Sequence, residues 1–533
     1  MTEEFQVLPP SSIKDASLTQ GLARNTTFNL LGWAWPVGLA IVSVPYILRI
    51  LGTDAYGIFS IVSIVAGYLG LLNAPVAMGN VRFMAETYAH KEWSELRKAA
   101  LGGIVINGAL SLLGASIMFL AANALARKVF AIPPALVSTA VIAFRLAAFS
   151  FFLNGVIGAL QSVPIAMRRY DIRNQVGLVV GTVNTVAIVL ALWLGWGLLG
   201  AVIAQVFSSA LGLAFFSIVA WRLLHMFPSS DDKSLVSATF LRRLASFSSL
   251  LFAGQVTSQI GLQIDRTLVG ILLGTSAMAY YTVPTKITER IPGMMYVFTT
   301  ALYPLSSEAM ATNKLEELRQ LYHEMIRILF WLSAFVAIPL VVLSKEILAL
   351  WVGPEFMAKS WLVFALLAAG VVWRSSGSVA YQVCNGMGRA DINLIASIGT
   401  AVFMTVPVLL LAPNWGAPGV ALGVFMGLFI SNLAYDLFAQ RKLLGGKSWG
   451  GSLAPYIRII LAEAGTILSA HFLPGRVFGW FTLIVRAGLI SFIFIVLSLA
   501  TGALRTRDLK FVKAKVLKIV KRASSPISSA TGK

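Results

Sequence analysis

The feature that most constrains this chain is a succession of long apolar runs with few charges. A helix that crosses a bilayer needs about 20 apolar residues, and most of the runs reach that length. The predicted membrane helices, fourteen in all, span residues 27–50, 56–79, 99–126, 134–163, 175–196, 198–221, 246–273, 277–303, 325–350, 359–385, 392–413, 417–440, 453–474 and 478–503. The first run is too long for a signal peptide, so we expect it to remain as a membrane helix.

Composition agrees with a polytopic membrane protein and excludes several other classes. The chain of 533 residues is 57% hydrophobic and only 12% charged, whereas a soluble domain is about 25% charged. A soluble enzyme, a disordered chain and a secreted disulfide scaffold are therefore excluded. The one cysteine, Cys384, rules out a disulfide framework or a cysteine metal site within one chain.

No motif of an enzyme stands out. The sequence has no phosphate-binding G-x-x-x-x-G-K-[ST] loop, no metal-ligand cluster and no suggested nucleophile with its base. We therefore predict a protein that is not an enzyme, with no catalytic residues, no bound metal and no cofactor. An H⁺ or Na⁺ gradient is a candidate energy source. The isolated Glu463 in the thirteenth predicted helix is a weak candidate for proton coupling.

The distribution of basic residues predicts the topology. The formal net charge is +20, which in a membrane protein is typical of cytoplasmic loops. The two termini and the even-numbered connections hold 28 Lys and Arg residues, and the odd-numbered connections with adjacent helix ends hold six. Both termini should therefore be cytoplasmic, and nucleic acid is not an expected partner.

The two halves of the chain repeat each other. A shift of 222 residues aligns 51–55 (LGTDA) with 273–277 (LGTSA) and 95–97 (ELR) with 317–319 (ELR). A shift near 220 aligns Arg169 and Asp171 with Arg389 and Asp391. Because each repeat holds an even number of helices, the lobes share one topology and enclose a cleft near the midplane. The predicted fold is an all-α polytopic membrane protein, two six-helix lobes in pseudo-two-fold repeat plus two extra C-terminal helices.

The domain boundaries follow from the repeat and from the polar segments. They are a cytoplasmic N-terminal tail (1–25), an N-lobe (26–221), a cytoplasmic linker (222–245), a C-lobe (246–441), two added helices (442–503) and a basic amphipathic cytoplasmic tail (504–533). Interleaved basic and apolar residues in the last segment predict binding to anionic lipids of the inner leaflet. A partner-binding tail is the alternative.

Three motifs carry a resemblance to a known family. They are 51–57 (LGTDAYG); Asp265-Arg266 with 273–274 (LG) and Tyr280; and 289–293 (ERIPG) with 304–306 (PLS). The first two resemble the polysaccharide transporter branch of the multidrug/oligosaccharidyl-lipid/polysaccharide (MOP) exporter superfamily. The third resembles the lipid II flippase branch. The resemblance covers roughly residues 25–500.

This resemblance implies a function. Such a flippase translocates a polyprenyl-diphosphate-linked oligosaccharide, an O-antigen or exopolysaccharide repeat unit, across the bacterial inner membrane by alternating access. Its expected partners are the lipid-linked oligosaccharide, a polysaccharide polymerase and glycosyltransferases. Two alternatives remain open: a cation-coupled multidrug exporter of the same superfamily, and a non-transporting scaffold of a polysaccharide assembly complex.

Charges deep in apolar helices are functional candidates because each is costly there. The predicted cationic cleft consists of Arg145, Arg266, Lys286, Arg290 and Arg374, with Asp265 and Glu289 as charge partners. Asp265 and Lys286 fall at similar depth and can pair across the turn between their helices. Arginine binds diphosphate through planar bidentate donors. The alternative is a closed packing network of these charges.

Uncharged polar side chains give a weaker signal. Gln255, Gln259 and Gln263 are spaced by four and form one stripe on the seventh predicted helix, suited to sugar contacts or to interhelical hydrogen bonds. Three asparagines in the N-lobe are interpreted as interhelical hydrogen-bonding residues: Asn107, Asn154 and Asn184.

Overall fold

A computed structural model describes residues 18–227, 263–300, 302–444, 449–473 and 478–504, together with positions 242, 246, 252 and 261; side chains are described from residue 35. Every regular element in these ranges is helical. The predicted all-α fold is confirmed. Residues 1–17 of the predicted N-terminal tail, much of the linker and the basic tail after residue 504 lie outside the described residues. Residues 18–25, which the sequence assigned to the N-terminal tail, are helical.

The first half contains six main helical segments. They are α1 (Leu18–Leu69), α2 (Ala74–Ala89), α3 (Trp93–Ala124), α4 (Val137–Ala166), α5 (Tyr170–Trp193) and α6 (Gly197–His225). Helix α1 bends at Gly52, whose φ of 74° belongs to the left-handed region that glycine tolerates best. The bend divides α1 into the first predicted membrane helix and the start of the second.

The second half begins with several short helices. It comprises α7 (263–272), α8 (Gly274–Thr288), α9 (Arg290–Thr299), α10 (Leu302–Ala311), α11 (Leu315–Val342), α12 (Ser344–Trp351), α13 (Pro354–Gly386), α14 (Ala390–Leu444), α15 (Trp449–His471) and α16 (Trp480–Ala500). Helix α14 bends at Gly416, which has a φ of 59°.

The structure refines the predicted boundaries. Ten helical stretches in the described ranges are long and apolar enough to cross a membrane, and two of them contain the bends at Gly52 and Gly416. The exact count of fourteen crossings stays a prediction. The predicted helix 277–303 is in fact α8, α9 and part of α10, because the chain turns at Glu289.

The pseudo-two-fold repeat is confirmed by the backbone. Unusual positive-φ positions recur in both halves at nearly one offset: Gly52 with Gly274, Lys91 with Asn313, Arg168 with Gly388, and Gly197 with Gly416. The turn ion pairs also recur, Arg169–Asp171 in the first half and Arg389–Asp391 in the second. Left-handed backbone is costly for residues with a side chain, so such coincidences indicate shared local structure.

The halves meet where the second segment of α1 packs on α8. Ser276 Oγ donates a hydrogen bond to Asp54 Oδ1 at 2.8 Å. A Cβ placed on Gly57 would lie 2.0 Å from the carbonyl oxygen of Thr275, so only glycine permits this approach. Trp351 Nε1 also donates to the carbonyl of Ile41 at 2.7 Å. These contacts lie at the end of the bundle that the basic residues predict to face away from the cytoplasm.

Candidate functional site

The candidate site is a cleft between the halves, and its charged side chains come from α7, α8 and α9. A cavity of about 230 Å³ is lined by Lys286 and Arg290 on one side and by Tyr56, Asn184 and Gln205 on the other. A smaller cavity of about 110 Å³ adjoins it. Tyr56, Phe59 and Lys286 line both, so the two cavities adjoin each other, and together they are called the cleft below.

The second cavity brings further predicted residues into the site. Its wall includes Gln263, Arg266 and Lys286 beside Ser60 and Thr282. Gln263 is buried, and its amide packs against Gly67 of α1, where an added Cβ would lie 2.7 Å from its nitrogen. The other two glutamines of the predicted stripe, Gln255 and Gln259, lie outside the described residues.

Ion pairing in the site differs from the expected pattern. Arg266 pairs with Glu289. Asp265 Oδ2 instead accepts a hydrogen bond from Tyr281 Oη at 2.7 Å. The expected Asp265–Lys286 pair is therefore not formed. The reason is local: the two residues are separated by the α7–α8 turn, and Tyr281 occupies the position beside the carboxylate.

Two cations of the site remain free for a ligand. Across the described ranges, no carboxylate lies within ion-pair distance of Lys286 or Arg290, and the charges that act on Lys286 are those of Arg266 and Arg290. The helix is interrupted at Glu289, so Lys286 lies on α8 and Arg290 on α9, yet both cations line the same cavity. Like charges gathered without a counterion favour an anionic ligand.

Arg374 and Arg145, which the sequence grouped with these cations, have different surroundings. Arg374 on α13 is half-buried and interacts electrostatically with Asp265, Arg266 and Tyr281. Arg145 is exposed, with its guanidinium 5.0 Å from the ring centroid of Phe119. Arg145 does not line the two cavities above. Arg374 likewise lines neither of them. The structure thus brings Arg266, Lys286 and Arg290 together in the cleft, leaves Arg374 near Asp265 but outside the cavity walls, and separates Arg145 from all of them.

A third cavity of about 740 Å³ continues the cleft into the first half. Its wall includes Asn107, Asn154 and Asn184, interpreted from the sequence as interhelical contacts, and also Gln161 and Gln205. The last two were not identified from the sequence. The available signal was their amide character in apolar helices, where an unsatisfied polar group is costly.

Two carboxylates, the half-buried Glu463 and the buried Asp436, lie apart from the cationic cleft. Glu463 lines a mostly apolar cavity of about 370 Å³ with Trp373 and Phe429. Asp436, which the sequence analysis missed, is fully buried and accepts a hydrogen bond from Tyr456 Oη at 2.7 Å. In the part of the chain that the structure describes, no group of three or more His, Cys, Asp or Glu side chains is arranged to hold a metal ion.

Comparison with known proteins decides the family. The family model described as polysaccharide biosynthesis protein matches residues 22–310, more than half of the chain. The chain belongs to this family. A second model, MatE, matches residues 251–410. The chain is thus a member of the MOP superfamily, in its polysaccharide transporter branch.

Curated relatives cover most of the chain at low identity. A Shigella flexneri protein assigned as an O-antigen transporter is 19% identical over 411 residues, covering 75% of this chain and 93% of the relative. An uncharacterized membrane protein of Bacillus subtilis, EpsK, is 21% identical over 482 residues, covering 89% and 94%.

Solved structures of two membrane proteins share the fold of this chain. The lipid II flippase MurJ in an inward closed conformation gives a TM-score of 0.66 at 14% identity, covering 92% of this chain and 100% of that one. A multidrug resistance MATE family transporter of the MOP superfamily, inward-facing, gives 0.61 at 16% identity, covering 79% and 98%. At these identities the likeness extends to the fold alone.

Proposed function

We propose that this transporter flips a polyprenyl-diphosphate-linked oligosaccharide, such as an O-antigen or exopolysaccharide repeat unit, across the bacterial inner membrane. The observation that carries the proposal is the pair of free cations, Lys286 and Arg290, on the wall of the interlobe cleft. The family match and the Shigella flexneri relative support the choice of cargo.

Charge complementarity gives the physical basis. Within the described ranges, the cations of the cleft wall are Arg266, Lys286 and Arg290, and Glu289 is the carboxylate that pairs with one of them. The cleft therefore carries an excess of positive charge, and a diphosphate diester brings one negative charge on each phosphate. Arg290 can bind one phosphate through two parallel donors while Lys286 acts as a point charge. The apolar tail remains in the bilayer.

Alternating access supplies the movement in this proposal. The halves are joined where α1 packs on α8, at the end predicted to face outward, and in this proposal the cleft opens toward the cytoplasm. Separation of the lobes at that contact, with closure at the cytoplasmic end, would expose the cleft to the other side. An H⁺ or Na⁺ gradient remains a candidate driving force.

The test is a flipping assay in proteoliposomes with a synthetic polyprenyl diphosphate oligosaccharide. Lys286→Gln with Arg290→Gln should slow flipping at least about tenfold, because each variant removes a charge-assisted hydrogen bond. Arg145→Gln is the matched control and should retain the wild-type rate. An unchanged rate in the double variant would exclude this diphosphate site, and absence of flipping by the wild type would favour a scaffold.

A multidrug exporter is the second candidate. The MatE match over residues 251–410 and the MATE neighbours favour it. The excess positive charge in the cleft opposes cationic drugs, which are repelled by Lys286 and Arg290. If cells that express the Lys286→Gln and Arg290→Gln double variant still export drugs at the wild-type rate, the result would support this candidate over the flippase.

The proposed topology places both termini and the basic tail (504–533) in the cytoplasm, where the tail would meet anionic lipids. Cys384 is the one natural cysteine and is buried, so new cysteines can be labelled selectively in whole cells. Lys91→Cys should be protected from an impermeant maleimide and Gly353→Cys should react. The reverse labelling pattern would show that the topology is inverted.

A polysaccharide polymerase and glycosyltransferases remain the proposed protein partners.

A further inference from the structure

The cavity of about 740 Å³ in the first half differs in chemistry from the cationic part of the cleft. Its lining residues come from α1, α2, α3, α4, α5 and α6 and include amides, hydroxyls and phenyl rings. No lining residue is Asp, Glu, Lys, Arg or His. A bound ion would find no counter-charge there, and an unpaired charge in such a site is strongly unfavourable.

Three amide side chains in this wall are available to a ligand. Gln161, Asn184 and Gln205 are half-buried, line the cavity, and form no side-chain hydrogen bond within the described residues. In contrast, Asn154 Nδ2 donates to Ser209 Oγ at 2.8 Å. Each free amide offers two donors and an acceptor, which match the hydroxyl groups of a sugar.

A further unsatisfied atom points the same way. Asn107 Oδ1 is buried and has no hydrogen-bond partner, although its Nδ2 donates to the carbonyl of Gly103. Buried polar atoms are nearly always paired, so an unpaired acceptor in a cavity wall fits a ligand that donates a hydrogen bond. Phe151 and Phe216 add apolar surface for the C–H faces of a sugar ring.

The cavity adjoins the proposed diphosphate site. Gly177, Gly181, Asn184 and Gln205 line both this cavity and the one that contains Lys286 and Arg290. A glycan attached to the diphosphate would therefore extend from the cations on the second half into the amide-lined cavity on the first.

We propose that this amide-lined cavity binds the glycan portion of the lipid-linked cargo and selects uncharged sugars over acidic ones. The inference rests on the proposed function and assigns different roles to the two walls of the interlobe cleft. The second half binds the diphosphate, and the first half recognises the oligosaccharide. An acidic sugar such as a hexuronic acid would place a carboxylate among amides with no cation to pair with.

Gly158 allows the cavity to be filled without disturbing the packing. It lines the amide cavity but not the cationic one, and an added Cβ would meet nothing within 4 Å. Gly158→Leu should therefore occupy cavity volume. Gly108→Leu is the matched control, since Gly108 on α3 also has open space around it and lines neither cavity.

Binding is measured on the purified full-length protein in nanodiscs with three synthetic probes. The first is polyprenyl methyl diphosphate, the bare lipid, a diester with the same diphosphate charge as the glycolipids. The other two carry a neutral trisaccharide, or a trisaccharide that contains a hexuronic acid, in place of the methyl group. The neutral probe should bind at least about tenfold tighter than the bare lipid, because one neutral hydrogen bond or more is gained with the glycan. Gly158→Leu, and separately Asn184→Ala with Gln205→Ala, should abolish that gain, and Gly108→Leu should keep it.

The possible failures are distinguishable. The glycan inference is overturned if Gly158→Leu retains the gain from the neutral glycan, or if the hexuronic acid probe binds as tightly as the neutral one. The diphosphate site is overturned separately if Lys286→Gln with Arg290→Gln binds the bare lipid as wild type does. Loss of glycan gain with intact binding of the bare lipid supports the division between the two walls.

Discussion

Ser60 Oγ lies 3.4 Å from Thr282 Oγ1, and the two residues occupy equivalent positions in the repeat. The same offset of 222 residues joins Asp54 to Ser276, which are hydrogen-bonded. Only residues near a two-fold axis contact their own equivalents. The pseudo-two-fold axis therefore passes between α1 and α8, and opening of the cleft at this end requires the contact to separate.

A cross-link at the axis should stop the cycle. Ser60→Cys with Thr282→Cys places two thiols close together, and Cys384 is buried. Under oxidation the disulfide should hold the lobes closed at this end and reduce flipping to background. A reductant should restore the rate, measured in the same proteoliposomes. Each single-cysteine variant is the control and should remain active under oxidant. Normal flipping by the fully cross-linked protein would show that this contact does not open.

Gly57 permits the close approach of the two helices. A Cβ at this position would lie 2.0 Å from the carbonyl oxygen of Thr275, so Gly57→Ala must separate α1 from α8. We expect a loss of about 1–3 kcal/mol in the free energy of unfolding, as for overpacked sites, and a lower thermal midpoint in detergent. Gly38→Ala on the same helix has nothing within 4 Å of its new methyl group and should unfold as wild type does. Equal midpoints for the two variants would contradict this close packing.

The turn repeated in the two halves offers a matched pair of variants. Arg168 has a φ of 59° where its counterpart Gly388 has 72°. Left-handed backbone costs a residue with a side chain about 1–2 kcal/mol. Arg168→Gly should therefore raise the thermal midpoint and Gly388→Ala should lower it. The measurement is thermal unfolding of both variants in one detergent, and shifts of the same sign would be inconsistent with equivalent turns.

The fold was largely predictable from the sequence, because apolar runs and the bias of basic residues are strong local signals. The repeat was visible for the same reason: turn residues such as 51–55 and 273–277 are set by local backbone requirements. The site was less predictable. Helical spacing placed Lys286 near Arg290, but which partner each charge takes depends on contacts between helices, and Tyr281 rather than Lys286 reaches Asp265.

Arg145 also shows why the site was harder to predict than the fold. Depth along a helix can be counted from the sequence, but the direction in which the side chain points around the helix axis depends on how the helices pack. Arg145 has the depth expected of a cleft residue, yet its guanidinium lies over Phe119. Gln161 and Gln205 show the reverse case, since no spacing rule marks two amides on different helices as neighbours across a cavity.

The Arg266–Glu289 pair should regulate how tightly the cleft holds an anion. Glu289→Gln removes the carboxylate that neutralises Arg266 and leaves a third free cation beside Lys286 and Arg290. We expect bare polyprenyl diphosphate to bind more tightly, by up to about tenfold, and to be released more slowly, so that flipping slows although affinity rises. Arg266→Gln combined with Glu289→Gln restores the charge balance and should return affinity toward the wild-type value. Weaker binding by Glu289→Gln would show instead that Glu289 holds Arg266 in the position that the phosphate requires.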